Sequence, residues 1–306
     1  VTTQESDVDT PEWFREALAH EPRTFETLVD GIPIACRSWG EGPGRTIVLV
    51  HGGGANSRWW DHVAPLLARG RRVVALDLSG HGDSGRREQY GVESWADEVL
   101  AVAALDEVGA DPIIAGHSLG GIVTLRGAGR KSAPLGGVII VDASIVEFGD
   151  QDRHVASRMG SAAVRAYPTR EIAESRFRPV PAQPTLPYVM AHIAAHSIRE
   201  RPDGWTWKFD PHVFDGSLTD SPPLAPLVYP AAVLRGEFGL IAGPAERLIR
   251  DGLGSDVPVV EIPAAGHHLM LDEPLALVTA IRTLVAVWDR PARLHSQRSP
   301  RKSNPQ

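Results

Sequence analysis

The chain of 306 residues has a single cysteine, Cys36. One thiol makes no internal disulfide and no cysteine-based zinc cluster, so no covalent staple is expected. Long apolar runs are also missing. None approaches the ~20 residues that a membrane helix needs, so no membrane span and no membrane partner are expected. The first ten residues, VTTQESDVDT, offer neither a basic n-region nor the apolar h-region of a signal peptide. A lone thiol suits a reducing compartment, and the expected location is the cytoplasm. Positive charge is in deficit as well: 31 Lys and Arg face 38 Asp and Glu, a formal charge of -7. That balance favours solubility and argues against general nucleic-acid binding.

What is present suits a folded chain. Hydrophobic residues make up 42% and charged residues 23%, close to the globular average. The length fits two domains, or one large α/β domain with an insertion. The two ends depart from the average. Residues 1–22 carry six acids and one base, and residues 289–306 carry five bases and one acid. The first is read as an N-terminal extension. The last part, 290–306, lacks apolar periodicity and is read as a disordered basic tail, a solvated extension rather than a nucleic-acid arm.

From Arg45 onward, short β-branched runs alternate with amphipathic helical stretches. Strands are expected at 46–50, 72–76, 112–115, 137–141, 231–234 and 257–262. Helices are expected at 59–68, 93–108, 119–129, 244–252 and 274–288. Runs such as IVLV, PIIA and GVIIV are apolar on both faces, as a parallel strand between two helical layers must be. The alternation predicts a doubly wound, mostly parallel α/β sheet. Two earlier segments, 24–29 and 32–38, flank Asp30-Gly31 and read as an antiparallel hairpin at one edge. The rhythm breaks over 145–228, a stretch rich in Pro, Arg, His and Trp without a clear strand. An insertion this long reads as a helical cap. The expected organisation is a core of 23–144 and 229–289 with the cap between.

Three motifs carry chemistry. Gly116-His117-Ser118-Leu119-Gly120 follows the strand PIIA and precedes a helical run. A serine on a tight strand-to-helix turn needs small flanking residues, and the turn presents Ser118 at a helix N-terminus. His51-Gly52-Gly53-Gly54 follows the strand TIVLV. Its glycines let the backbone approach a substrate closely. The amides of Gly53 and Leu119 are candidates for holding an oxyanion, while His51 reads as a structural hydrogen-bonding residue. Gly266-His267-His268 follows the last strand. His267 is the candidate base, and His268 is expected to fill a packing or hydrogen-bonding role.

With these motifs in this order, the chain resembles the α/β-hydrolase fold family. The resemblance covers about residues 24–288. It rests on the nucleophile elbow, the long insertion and the late histidine, on HGGG after the third strand, and on Asp77-Leu78-Ser79-Gly80-His81-Gly82-Asp83-Ser84 after the fourth. It implies an eight-stranded sheet with a helical cap, a nucleophile at Ser118, a base at His267 and oxyanion amides at Gly53 and Leu119.

The acid departs from the commonest pattern of that family. The usual Asp position after the seventh strand is Gly239, and Glu237 lies two residues early. The family's other solution places the acid after the sixth strand, where Asp142 stands. Asp142 is the preferred candidate and Glu237 the alternative.

Other features are discounted. His192 and His196 are spaced i,i+4 but lack a third ligand, so a structural helix is expected there and no metal. No phosphate loop or dinucleotide fingerprint appears, so no cofactor is expected. Trp205 and Trp207 line the substrate pocket or anchor the cap, and Trp59 and Trp60 carry the same ambiguity.

A serine elbow argues against the epoxide-opening and halide-displacing members, which use Asp. The expected function is a cofactor-independent serine hydrolase. Its substrate would be a small to medium apolar ester, lactone or related carbonyl compound, a small molecule in each case. Three alternatives on the same fold remain: a cofactor-free dioxygenase of heteroaromatic rings, a carbon–carbon bond hydrolase, and a slow-turnover ligand-binding protein.

Overall fold

The structure, a computed structural model, describes residues 10–130, 134–143, 165–215, 224–241 and 243–289. Eight strands form one sheet: β1 (Arg23–Val29), β2 (Ile32–Trp39), β3 (Gly44–Val50), β4 (Arg71–Leu76), β5 (Ile113–His117), β6 (Gly137–Val141), β9 (Ala231–Phe238) and β10 (Val259–Gly266). Their order is β1-β2-β4-β3-β5-β6-β9-β10. β1 and β2 pair antiparallel, β2 pairs antiparallel to β4, and every remaining pair is parallel. This is the doubly wound sheet that the apolar runs predict.

Side-chain alternation divides those runs between two cores. Val48, Val50, Val74, Leu76, Ile114, Val138 and Ile140 face one core with Trp95 and Val99 of α3 (Val92–Ala103) and Ile122 and Val123 of α4 (Leu119–Ala128). Ile47, Leu49, Val73, Ala75, Ile113, Ala115 and Ile139 face the other core. There they meet Leu67 of α2 (Ala64–Leu67) and Leu277, Ile281 and Val285 of the C-terminal helix Pro274–Trp288. Both sheet faces are therefore dry, which a parallel sheet requires.

The helix expected over 59–68 is broken. A 3₁₀ turn covers Ser57–Trp60, capped by the Asn56 side chain, and α2 begins only at Ala64. Pro65 has no N–H to give to a carbonyl four residues back, so one continuous helix is not available. Within the expected N-terminal extension, α1 (Glu12–Ala19) forms a folded helix. Its Phe14 ring lies 4.9 Å from Tyr188 and 5.7 Å from His62, so it packs on the cap and the core together. Trp13, Phe14, Ala17 and Leu18 give it one apolar stripe.

The described part of the 145–228 insertion holds α5 (Arg170–Arg176), α6 (Pro187–His196) and a hairpin of β7 (Ile198–Arg201) and β8 (Gly204–Trp207). The hairpin is a separate two-stranded sheet and does not join the main one. Residues 144–164 and 216–223 of that segment, and the tail at 290–306, lie outside the described residues. Beyond β8, the Lys208 carbonyl accepts from Gly82 N–H at 2.7 Å, and Asp210 N–H donates to the Gly80 carbonyl at 2.7 Å. The insertion is thus stitched to the loop after β4. The remaining helices are α7 (Gly243–Leu253), α8 (Leu269–Asp272) and α9 (Pro274–Trp288). Among the described residues no helix is long and apolar enough to cross a membrane.

Burial holds five of the described histidines neutral. Burial pushes His51, His62, His81, His117 and His268 below the ordinary imidazole value, His62 to about 4. In the unfolded chain each titrates near 6.5. Between those values the unfolded state binds more protons, so stability is complete above about pH 6.5 and is lost as pH falls towards 4. His62 alone accounts for about 3 kcal/mol across that window. Melting temperature should fall steeply between pH 6.5 and 4.5, and a flat profile over that range would contradict the neutral, buried assignment.

Candidate active site

β5 ends at His117 and α4 begins at Leu119, so Ser118 is the whole turn. Its backbone stands at φ 53° and ψ -121°. A non-glycine residue in that region stores about 1–3 kcal/mol of strain. The glycines on either side are required by contact. A Cβ on Gly116 would lie 2.2 Å from the Gly120 carbonyl oxygen, and one on Gly120 would lie 2.5 Å from the His51 carbonyl oxygen. The result lifts the Ser118 hydroxyl, half-buried, above the C-terminal edge of the sheet.

His267 stands between β10 and α8 and is buried. Its Nε2 lies 3.1 Å from Ser118 Oγ, and its Nδ1 lies 2.8 Å from Asp142 Oδ2. A carboxylate only accepts, so Nδ1 carries the proton and Nε2 accepts from the serine hydroxyl.

Asp142 follows β6 and is fully buried, with φ 42°. Its carboxylate also accepts the Gly236 N–H at 3.2 Å and the Leu240 N–H at 2.8 Å. These donors come from β9 and the turn after it, the place where the family's usual acid would stand. The glycine at 239 now has a physical cause. A Cβ there would lie 2.2 Å from Asp142 Oδ1, inside the space that the carboxylate fills. Glu237 is turned elsewhere: it is exposed and accepts the Ala264 N–H at 2.9 Å.

The HGGG turn lies against this centre. A Cβ on Gly52 would lie 3.2 Å from Ser118 Cβ, and one on Gly53 would lie 3.6 Å from Leu119 Cδ2 and 3.2 Å from Phe214 Cε1. Leu119 is the first residue of α4, so its N–H has no acceptor within the helix. His51 is fully engaged in structure, its Nε2 accepting from Leu78 N–H at 3.1 Å and its Nδ1 donating to the Gly52 carbonyl at 2.7 Å.

Trp205 and Trp207 belong to the cap hairpin. Trp207 is buried, with its ring 5.4 Å from Tyr167 and 5.6 Å from Phe177, and Trp205 lies under the Arg170 guanidinium. These contacts tie both rings to other residues of the insertion. Trp59 carries the stack towards the site, 6.2 Å from Phe177 and 5.5 Å from His268, while Trp60 is wholly buried in the core. His192 Nε2 lies 3.0 Å from Asp61 Oδ2, and His196 Nδ1 lies 2.8 Å from the His192 carbonyl, so this pair joins cap to core.

Sequence reasoning missed Phe214 and Gln183. Phe214 reaches Gly53 from the short turn Pro211–Phe214. Gln183 Oε1 accepts the His268 N–H at 2.7 Å, and its Nε2 donates to Asp272 Oδ2 at 2.6 Å. No local pattern marks either residue.

The description "Alpha/beta hydrolase family" belongs to the family model that matches residues 47–281. Among curated proteins, Esterase Rv0045c of Mycobacterium tuberculosis is 27% identical over 269 residues, covering 81% of this chain and 85% of that protein. A dihydrolipoyllysine-residue acetyltransferase component of an acetoin cleaving system, from Pseudomonas putida, is 47% identical over 92 residues. That match spans 29% of this chain and only 24% of that protein's length. Among solved structures, E-2-(acetamidomethylene)succinate hydrolase superposes with a TM-score of 0.73 at 18% identity, over 87% of this chain and all of that one. At that identity the superposition speaks for the fold. The family match spans most of the chain and both strand-end turns described above. The chain belongs to the alpha/beta hydrolase family of enzymes.

Proposed function

We propose that the chain is a cofactor-independent serine hydrolase that cleaves a small to medium apolar ester, a lactone or a related carbonyl substrate. The observation that carries this reading is the unbroken hydrogen-bonded line from Ser118 Oγ through His267 to Asp142, at 3.1 and 2.8 Å. Ser118 Oγ attacks the carbonyl carbon while its proton passes to His267 Nε2. The oxyanion that forms accepts hydrogen bonds from the Gly53 and Leu119 N–H groups. Collapse breaks the bond to the leaving oxygen, which takes the proton from His267. Water then attacks the acyl-enzyme, with His267 as base, and Ser118 is released. Asp142 orients the imidazole and stabilises its charged form.

The bond between Ser118 and His267 favours acyl transfer over the dioxygenase alternative, in which serine need not acylate. The esterase relative of M. tuberculosis, similar across most of both chains, supports ester hydrolysis. One buried, unpaired thiol, pushed up to about 12 by burial and therefore protonated, is consistent with a cytoplasmic enzyme.

A fluorophosphonate probe should label Ser118, and turnover of p-nitrophenyl esters should fall about 10⁴-fold or more in Ser118→Ala with the fold intact. Near-wild-type hydrolysis in that variant would end the serine hydrolase reading. Tight binding with very slow turnover in the unaltered chain would favour a receptor instead.

Asp142→Asn keeps the shape and loses the charge, so kcat should fall roughly 10²–10⁴-fold with KM little changed. The tight fit at residue 239 allows a sharper experiment. Gly239→Ala forces a methyl into the Asp142 carboxylate, so it should depress kcat although it touches no substrate. Adding Gly239→Asp to Asp142→Gly returns a carboxylate to the space just vacated, and at least ~10-fold of the lost activity should come back. Equal activity in Asp142→Gly with and without the second change would show that position 239 cannot serve His267.

A further inference from the structure

His267 stands on a loop between two peptide units that the insertion holds. Residues 180–186, Val-Pro-Ala-Gln-Pro-Thr-Leu, form neither helix nor strand, and their polar groups turn to the loop at 266–272. The Val180 carbonyl accepts from His268 Nε2 at 3.1 Å, and Leu186 N–H donates to the Leu271 carbonyl at 2.8 Å. Between them Gln183 makes three contacts with one amide. Its Oε1 accepts the His268 N–H at 2.7 Å, and its Nε2 donates to Asp272 Oδ2 at 2.6 Å and to the His268 carbonyl at 3.3 Å. The opposite amide orientation would set a carbonyl oxygen against a carboxylate. Asp272 Oδ2 also accepts the Gly266 N–H at 2.6 Å. One amide–carboxylate pair therefore ties the N–H groups of residues 266 and 268, with His267 between them. Gly266 shows how close the amide comes. Its φ is not positive, so its missing side chain is a matter of space. A Cβ there would lie 2.8 Å from Gln183 Cδ and 2.9 Å from both Nε2 and Oε1. Pro181 and Pro184 fix φ on either side of Gln183, which lowers the entropy lost on holding it there.

We propose that Gln183 is a positioning residue for the hydrolytic reaction: through Asp272 and the His268 peptide it sets the loop so that His267 Nε2 meets Ser118 Oγ. Its effect on turnover rests on the hydrolase reading, whereas its hold on His267 does not. Asp142 fixes only Nδ1 of the ring, at 2.8 Å. One hydrogen bond leaves the imidazole free to tilt, and a displacement of about 1 Å costs on the order of 10²-fold in rate. An amide suits the task because it donates to Asp272 and accepts from the His268 N–H with one rigid group. A glutamate of the same shape, once ionised, accepts at both ends. It then meets Asp272 as a like charge and holds the loop only while one shared proton bridges the two carboxyls. Burial already raises Asp272 above the ordinary carboxylate range, and the charge of Glu273 adds to it. The strip 180–186 carries no titratable side chain, burial keeps His268 neutral, and His267 is paired with Asp142. The neighbouring charge of Glu273 thus favours keeping the shared proton.

The test uses the full chain and p-nitrophenyl esters. The kcat of Gln183→Glu is divided by that of the unaltered chain at each pH from about 5.5 to about 8.5, which cancels the titration of His267 itself. The ratio should be highest at the acid end and fall at least ~10-fold as the shared proton leaves. Adding Asp272→Asn removes the facing charges, so the ratio should then be flat with pH. Gln183→Met keeps the length and loses every polar contact, so kcat should fall at least ~10-fold at every pH with KM little changed. A merely structural role predicts a lower melting temperature, unchanged kcat per folded molecule in Gln183→Met and a flat ratio in Gln183→Glu, and that result overturns the proposal. Circular dichroism identifies a variant that has not folded, and the other variant then decides. A second readout needs no turnover. The His267 Nδ1 proton, followed by NMR, should exchange with water faster in Gln183→Met than in the unaltered chain. If the unaltered chain turns over no ester, the hydrolase reading fails and this proton alone decides: faster exchange upholds the hold on His267, and unchanged exchange overturns it.

Discussion

The structure depends on one fully buried carboxylate. Asp142 lies away from water, and an isolated charge in that position would be prohibitive. It is tolerated because three donors converge on it: Gly236 N–H, Leu240 N–H and His267 Nδ1. Those donors come from the strand after the insertion, its following turn, and the loop after the last strand. Only a sheet in which β6, β9 and β10 are consecutive neighbours brings them together. The parallel order is thus a condition of the hydrogen-bonded line from Asp142 to Ser118, and Asp142 in turn gives these strand ends a common partner.

The backbone bears the cost of this arrangement at two positions. Ser118 and Asp142 both take positive φ without being glycine. Each is held by its neighbours: Ser118 N–H donates to the Val141 carbonyl at 3.0 Å, and Asp142 N–H donates to the Leu234 carbonyl at 2.7 Å. The sheet ladder therefore extends one residue into each turn. The strained conformation points each side chain at His267 when the strand alone would direct it into a helical layer.

Much of this was legible in the sequence, because it rests on local rules. Apolar runs without alternation fixed the buried strands, and Gly116 and Gly120 marked the turn at Ser118. The resemblance, which allows an acid after the sixth strand, made Asp142 the preferred candidate, although its distance to His267 needed the fold. Gly239 was visible as a missing acid, but not as a cavity filled from residue 142. What escaped reading was non-local or masked by composition. The cap hairpin was signalled by Arg201-Pro202-Asp203-Gly204 and by the alternation Trp205-Thr206-Trp207, yet its surroundings look irregular. The stripe Trp13, Phe14, Ala17, Leu18 was hidden by acids on the opposite face of α1. Phe214 and Gln183 carry no pattern at all, since their partners lie 161 and 89 residues away at Gly53 and Asp272.

Gln183 changes what the cap does. Its amide grips the loop that carries His267 from two sides, at the His268 N–H and at Asp272. The same Asp272 oxygen accepts the Gly266 N–H at 2.6 Å, directly before His267. Backbone groups on both flanks of His267 are therefore fixed through one cap residue. The aromatic line from Trp207 through Phe177 and Trp59 to His268 reinforces that grip from the apolar side. On the far side, α1 packs Phe14 against Tyr188 of α6 and so pins the cap to the core. A histidine on a loop has rotamers to lose, and a productive line needs its nitrogens held to within about 0.5 Å. The insertion supplies that restraint, and through it fixes the position of His267.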